Sequence, residues 1–229
     1  MKKIGLIGGM SWESSALYYR LINELTKEHL GGFHSARCVL ASVDFDEIEQ
    51  LQMAGEWGKA AELLANEGRL LQASGADLIV LCTNTMHKVA DAIEAATTVP
   101  FLHLADVTAD AVAKAGISSV GLLGTRFTME EDFYVKRLQS HGLRVVIPSP
   151  EDRVIVNRVI YEELVLGEVR EESRAEYRRI IGELGARGAQ GVILGCTEIE
   201  LLVGEADSAL PLFATTRLHA EAAVAAALA

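Results

Sequence analysis

Two short segments carry the side chains best suited to chemistry. One is Gly195-Cys196-Thr197-Glu198, which follows the apolar run Gly191–Leu194. Cys196 stands where a strand should end, and Thr197 and Glu198 open the next helix. A thiol beside a helix N-terminus feels the positive end of the dipole, which lowers its pKa and favours the thiolate. A lone cysteine is more often an inert core residue. Gly195, Thr197 and Glu198 pack poorly in a core, which keeps the reactive reading open. The other segment is Cys82-Thr83-Asn84-Thr85, at the end of the run Leu78–Cys82. Hydroxyl, amide and hydroxyl in succession suit a carboxylate and an amine. Asn84 or Thr85 could equally cap a helix, and the two roles are compatible.

Other polar positions are less specific. Gly5, Gly8 and Gly9 do not spell the dinucleotide fingerprint, whose third glycine lies three after the second. They suit a tight strand-to-helix turn whose backbone N–H groups approach a carboxylate. Ser11, Ser14 and Ser15 then supply capping or ligand hydroxyls. Thr125 and Thr128 could bind a ligand or cap a helix. His87, His103 and His219 are scattered, and no histidine pair has metal-ligand spacing.

The elements that must position these residues follow from hydropathy. Apolar runs at Ile4–Ile7, Arg37–Val43, Asp77–Cys82, Phe101–Leu104, Ser119–Leu123, Arg144–Ile147, Gly191–Leu194 and Leu210–Phe213 alternate with amphipathic stretches. Several runs are continuously Val/Ile/Leu, as in parallel strands covered on both faces. Tyr18, Leu21, Ile22 and Leu25 form one helical stripe. Ala61–Gln72, Lys88–Ala96, Glu130–Ser140, Asp152–Leu166 and Glu172–Leu184 are similarly helical, and Pro148-Ser149-Pro150 suits a surface loop. Alternating strands and helices predict an α/β fold with a mostly parallel sheet.

A faint repeat divides it. Gly5-Leu6-Ile7-Gly8-Gly9 resembles Gly121-Leu122-Leu123-Gly124-Thr125, and Ile79–Thr85 resembles Val192–Glu198. The spacing is 75 residues from Gly8 to Thr83 and 72 from Gly124 to Cys196. The expectation is two similar α/β domains with four-stranded sheets, related by a pseudo-twofold: 1–103 with 215–229, and 104–214. Ligands of parallel sheets bind beyond the carboxyl ends of strands. All four motifs sit there, so one interdomain cleft could receive them.

Composition narrows the function. The chain has 229 residues, a net charge of −11 and half of its residues hydrophobic. A strongly acidic chain argues against nucleic acid, whose phosphates need Lys and Arg, and against an anionic membrane surface. The three cysteines, Cys38, Cys82 and Cys196, are odd in number and widely spaced. That argues against a secreted disulfide framework. The first residues hold too short an apolar stretch for a signal peptide, and no run is long enough to span a bilayer. The expectation is a cytoplasmic protein.

Taken together, Cys82-Thr83-Asn84-Thr85 and Gly195-Cys196-Thr197-Glu198-Ile199 resemble the aspartate/glutamate racemase family. The opening Gly8-Gly9-Met10-Ser11-Trp12-Glu13-Ser14, the segment Leu123-Gly124-Thr125-Arg126-Phe127-Thr128-Met129, and Ile160-Tyr161-Glu162-Glu163-Leu164 with Gly167 are similar too. The likeness covers essentially the whole chain. It is nearest the L-aspartate/glutamate-specific or broad-specificity branch. The resemblance implies no pyridoxal phosphate, no metal and a homodimer. It also implies two acid/base groups on opposite sides of the substrate Cα, usually two cysteines. Cys196 then deprotonates L-substrates. Asn84, Thr85 and Thr197 hold the carboxylate and amine, and Met10, Gln52, Thr125 and Thr128 complete the pocket.

This chain departs from that pattern. The family's Cys-Asn-Thr reads Thr83-Asn84-Thr85, and Cys82 lies one residue early. A one-residue step along a strand turns a side chain to the other face, so Cys82 is expected to be a packed bystander. Thr83 then takes the first catalytic position. A hydroxyl abstracts protons poorly but can donate or relay one, which predicts a preference for L-substrates. The segment Asp44–Gln50, taken as a loop, lacks the arginine of archaeal relatives. No lysine stands near Leu164–Gly167, and Ala214 replaces a usual aspartate. Two other readings compete: a single-thiol enzyme resembling arylmalonate decarboxylases, and a non-catalytic amino-acid-binding protein.

Overall fold

The computed structural model describes residues 1–229. The chain divides into two compact units, Met1–Leu104 with His219–Ala229, and Ala105–Leu218. The first runs β1 (Ile4–Gly8), α1 (Trp12–Leu30), β2 (Cys38–Ser42), α2 (Phe45–Met53), α3 (Trp57–Ala73), β3 (Leu78–Leu81), α4 (Ala90–Ala96) and β4 (Phe101–Leu102). Its four strands are all parallel, in the order β2-β1-β3-β4.

The second unit contains α5 (Leu104–Lys114, its first residue still in the first unit), β5 (Ser119–Gly124), α6 (Arg126–Glu130), α7 (Asp132–Ser140) and β6 (Arg144–Val146). It continues with α8 (Pro150–Glu162), α9 (Glu171–Ala186), β7 (Gly191–Gly195), α10 (Ile199–Leu202) and β8 (Leu212–Ala214). Its sheet is again parallel and has the matching order β6-β5-β7-β8.

The inner strands β1, β3, β5 and β7 are buried along their whole length, covered on both faces, which is why they are almost wholly apolar. In the first unit, side chains alternate along the strands. Ile4, Leu6, Leu78, Val80 and Cys82 pack with α1, while Ile7, Ile79 and Leu81 pack with α2 and α3. In the second unit, Leu123, Val192 and Leu194 pack with Val156 and Ile160 of α8 and Tyr177, Ile180 and Ile181 of α9.

The last helix, α11 (Thr215–Leu228), starts in the second unit and continues into the first. Thr215 donates to the Leu194 carbonyl at 2.8 Å and Thr216 to the Thr197 hydroxyl at 3.1 Å. From His219 on, Ala220, Ala223, Val224 and Ala227 join the α1 face of the first core. These small side chains let the helix lie close.

All eight apolar runs contain strands. Two local expectations change. Asp44–Gln50 is not a loop: Asp44 caps α2, accepting from the Asp46 N–H at 3.2 Å. Pro148-Ser149-Pro150 is not all loop either, since Ser149 caps α8 and Pro150 is its first residue. Proline fits that position because its missing N–H would have no helical partner.

Candidate active site

In each sheet the chain leaves the central strand for one neighbour and then returns on its other side. That makes a topological switch point beyond the carboxyl ends of β1 and β3, and another beyond β5 and β7. Such points are where parallel sheets open a crevice for ligands.

Register makes the two points equivalent. Ile7 pairs with Leu81 in the first sheet, and Leu123 pairs with Leu194 in the second. Counting on from those pairs, Cys82 corresponds to Gly195 and Thr83 to Cys196. Cys82 is fully buried in the core on the α1 side, and burial pushes its thiol far up. Thr83, one residue on, is half-buried.

In the first unit, the switch point is built around Gly9 and His87. Gly9 has φ +96°, and a Cβ there would lie 2.1 Å from the Val43 carbonyl oxygen, so only glycine fits. Ser15 accepts from the Gly9 N–H at 2.8 Å, and Ser14 donates to the Cys82 carbonyl at 3.1 Å. Ser11 caps α1. These serines fix the β1–α1 turn against the end of β3.

His87 is buried, and its ring links two backbone groups. The Leu104 N–H donates to Nε2 at 3.1 Å, so Nδ1 carries the proton and donates to the Thr83 carbonyl at 2.8 Å. Asn84 and Thr85, both buried, lead into a short 3-10 turn, Thr85–Val89, that Asn84 does not cap through its side chain. Gln52, on α2, is buried and donates to the Met86 sulfur at 3.0 Å. Met10 and Met86 share one core cluster, on the α2–α3 face of the sheet.

In the second unit, Thr125 caps α6, accepting from the Thr128 N–H at 3.3 Å, and the two hydroxyls lie 3.2 Å apart. Thr128 also packs over the strand ends: a Cβ on Gly124 would lie 3.1 Å from it, and one on Gly195 3.4 Å. Cys196 is half-buried. Its thiol donates to the Glu198 carboxylate at 3.0 Å.

The electrostatics of Cys196 reverse the expectation of a depressed thiol pKa. Burial and the neighbouring Glu198 carboxylate push it well above the ordinary value, and the Glu198 backbone N–H opposes this only partly. The helix that should have lowered it, α10, is a single turn. Its dipole is slight beside a carboxylate in hydrogen-bond contact. Nearby, Glu200 accepts from the Thr216 N–H at 3.3 Å, and burial raises its pKa to about 7.

The sequence profile of the Asp/Glu/Hydantoin racemase family matches residues 7–223. The chain belongs to the Asp/Glu/Hydantoin racemase family. By that membership it is an isomerase, an amino-acid racemase. It is 57% identical to a candidate Asp/Glu racemase from Yersinia pestis, with all of both chains covered and a TM-score of 0.95. It is 34% identical to an aspartate racemase homologue from Pyrococcus horikoshii, again over both whole chains, with a TM-score of 0.88. A broad-specificity amino-acid racemase of Bacillus subtilis is 26% identical over 159 residues, 69% of this chain and 68% of that protein.

The racemase chain thus holds Met10, Thr83, Asn84 and Thr85 just past the strand ends of one unit, with Gln52 on α2 against Met86, and Thr125, Thr128, Cys196 and Thr197 just past those of the other. No group of three His, Cys, Asp or Glu side chains is placed to hold a metal ion. Sequence reasoning missed Glu198, Glu200 and Thr216 as parts of the Cys196 environment, and His87 as the anchor of Thr83. The signal for Glu198 was its acidity beside an apolar strand, where a buried carboxylate needs a partner. Arg158 and Arg170 stand near the Leu164–Gly167 segment. Both pair with the buried Glu163, at 3.2 and 3.8 Å.

Proposed function

We propose that this racemase inverts aspartate, glutamate or a broader set of amino acids without pyridoxal phosphate or metal. Cys196 removes the α-proton of the L-substrate, and Thr83 relays a solvent proton to the opposite face of Cα. The observation that carries this reading is the shared register, which gives Thr83 and Cys196 the same place beyond equivalent strands.

The chemistry sets the other roles. An α-proton is a very weak acid, so its base must be close and correctly oriented. Charge developing on the carboxylate needs hydrogen-bond donors aimed at its oxygens. Asn84, Thr85 and Thr197 supply them. Thr216 donates to the Thr197 oxygen at 3.1 Å, which fixes the orientation of that hydroxyl. Met10, Gln52, Thr125 and Thr128 complete the pocket. The reading includes a cytoplasmic homodimer and, because a hydroxyl is a poor base, a preference for L- over D-substrates.

The test is proton NMR of L- and D-aspartate, L- and D-glutamate and several neutral amino acids in D2O with the purified protein. Loss of the α-proton signal, faster for L-isomers and abolished by Cys196→Ser, is the expected result. No exchange of any amino acid refutes the reading. Release of carbon dioxide from an arylmalonate would then support single-thiol decarboxylation, and ligand-induced stabilisation without exchange would support a binding role.

A further inference from the structure

Glu198 touches the Cys196 sulfur twice, and the two contacts favour opposite protonation states. Its carboxylate accepts the S–H proton at 3.0 Å, and its backbone N–H points at the same sulfur. Glu198 is only 8% exposed. Burying a carboxylate is unfavourable unless a partner meets it, and here the thiol is one partner. Two residues apart at the end of β7, the groups meet because the chain turns between them.

We propose that Glu198 is the proton acceptor for Cys196, so that the base of the L-face is a thiol–carboxylate pair and not a free thiolate. This deepens the racemase reading and rests on it. At rest the pair holds one proton, on sulfur. Transfer to the Glu198 oxygen breaks the S–H bond, forms O–H and leaves a thiolate facing the Glu198 N–H. The thiolate then takes the α-proton, leaving both thiol and carboxylic acid protonated and the substrate a carbanion. Return of a proton from sulfur to carbon, followed by transfer from Glu198 to sulfur, restores the resting pair. In D2O the proton held on sulfur exchanges before it returns, which puts deuterium on Cα. Glu198 never needs to touch the substrate; it is a positioning residue acting through Cys196.

The arrangement explains how a thiol raised by its surroundings can serve as a base at neutral pH. Its proton stays within the pair while the α-proton is taken, so the thiol need not first ionise to solvent. After inversion, when Thr83 has protonated the other face, the pair releases its extra proton to solvent and Thr83 regains one. The other charged and titratable groups around the pair are Glu200 of α10, with Arg217 of α11 beside it, and Tyr177 of α9, which in turn has Arg158 of α8 and Glu163, just past the end of α8, near it. Tyr177 is itself pushed up by burial, and its hydroxyl is committed to the Val156 carbonyl at 3.0 Å. It does not compete for the thiol proton.

The experiment compares wild type with Glu198→Gln in two measurements from about pH 6 to 10. One is α-proton exchange of L-aspartate and L-glutamate in D2O. The other is alkylation of Cys196 by iodoacetamide, followed by mass spectrometry of its peptide. The amide of the Glu198→Gln variant cannot accept the proton, so exchange at neutral pH should fall roughly 100-fold, the usual scale of one acid–base partner. It should recover as pH rises, its acid limb moving up toward ionisation of the thiol itself. Alkylation should shift the other way, to lower pH, because a negative charge beside sulfur is gone.

Opposite shifts of the two profiles are the signature, and a merely structural loss would move neither. Exchange in Glu198→Gln within threefold of wild type, an equal loss at every pH, or an unmoved alkylation profile overturns the proposal. If wild type exchanges no amino acid but the alkylation profile still shifts, the Cys–Glu proton coupling stands and the racemase reading fails. Should the glutamine variant fold poorly, Glu198→Ala with added formate replaces it. Rescue of exchange supports the pair, and no rescue in folded protein refutes it.

Discussion

Thr83 and Cys196 are equivalent by register and unequal by chemistry. A hydroxyl is a far weaker acid than a thiol, so the Thr83 side can return a proton but removes one slowly. Thr83→Cys should therefore raise exchange of D-aspartate or D-glutamate at least tenfold and leave L-exchange within a few-fold. Chiral chromatography of both enantiomers against time checks it, and no gain in a folded variant with intact L-activity would show that position 83 is not the D-face group. Cys82 should not substitute for it: the thiol is fully buried on the α1 side, and its pKa is pushed up by that burial. Cys82→Ala should cost about 1 kcal/mol or more of stability through the space it leaves. It should leave exchange rates unchanged, which denaturant titration and the NMR assay measure together.

Glycines at the strand ends set how closely β5 and β7 approach, and they separate fold from function at the level of elements. A Cβ on Gly195 would lie 2.8 Å from the Leu123 carbonyl oxygen, a backbone atom of the paired strand. Gly195→Ala should destabilise by about 1–3 kcal/mol, as overpacking does, and displace the adjoining Cys196. Gly182, exposed in the middle of α9, has nothing within 4 Å of its added Cβ. Gly182→Ala should stabilise by about 0.5–1 kcal/mol through helix propensity. Urea titrations of the two variants should thus move in opposite directions. The same contrast explains what was legible in the sequence. Strands covered on both faces read as Val/Ile/Leu runs, and the two Gly-ended runs carried the repeat into matching sheet orders. The helix α2 was hidden because Gln52 occupies its buried face beside Ile48, which breaks the apolar stripe. The Cys196–Glu198 bond was hidden for another reason. Residues two apart do not face each other in a helix, so the contact exists only through the turn after β7. Side-chain types showed where chemistry could occur, but the direction of the Cys196 pKa depended on which charge the turn brings to it.

At the scale of the whole molecule, two titratable groups, half-buried Glu200 of one unit and buried His219 of the other, bias stability with pH in opposite senses. Glu200 is raised by burial to about 7, so between its ordinary pKa near 4.5 and 7 the folded state holds more protons than the unfolded state. Stability from this group therefore falls as pH rises through that window. His219 is lowered by burial to about 4, and its ring lies between the Tyr18 hydroxyl at 3.0 Å and the Leu102 carbonyl at 2.8 Å. Between pH 4 and its ordinary 6.5 the unfolded state holds more protons, so stability from His219 rises with pH. Each contribution is at most about 3.5 kcal/mol, from roughly 2.5 pH units at about 1.4 kcal/mol each. Summed over complete unfolding, the two slopes oppose each other from about pH 4.5 to 6.5, and the wild type should vary little there on their account. Single variants should expose each slope. Glu200→Gln, whose amide oxygen can still accept from the Thr216 N–H, should lose stability steeply as pH falls below 6.5, the His219 slope alone. His219→Gln should instead gain stability as pH falls from 7 to 4.5, whatever its overall loss from the changed core. Unfolding free energies from urea titrations at closely spaced pH values check both. Parallel profiles for wild type and the two variants would mean that neither group changes its proton affinity on folding.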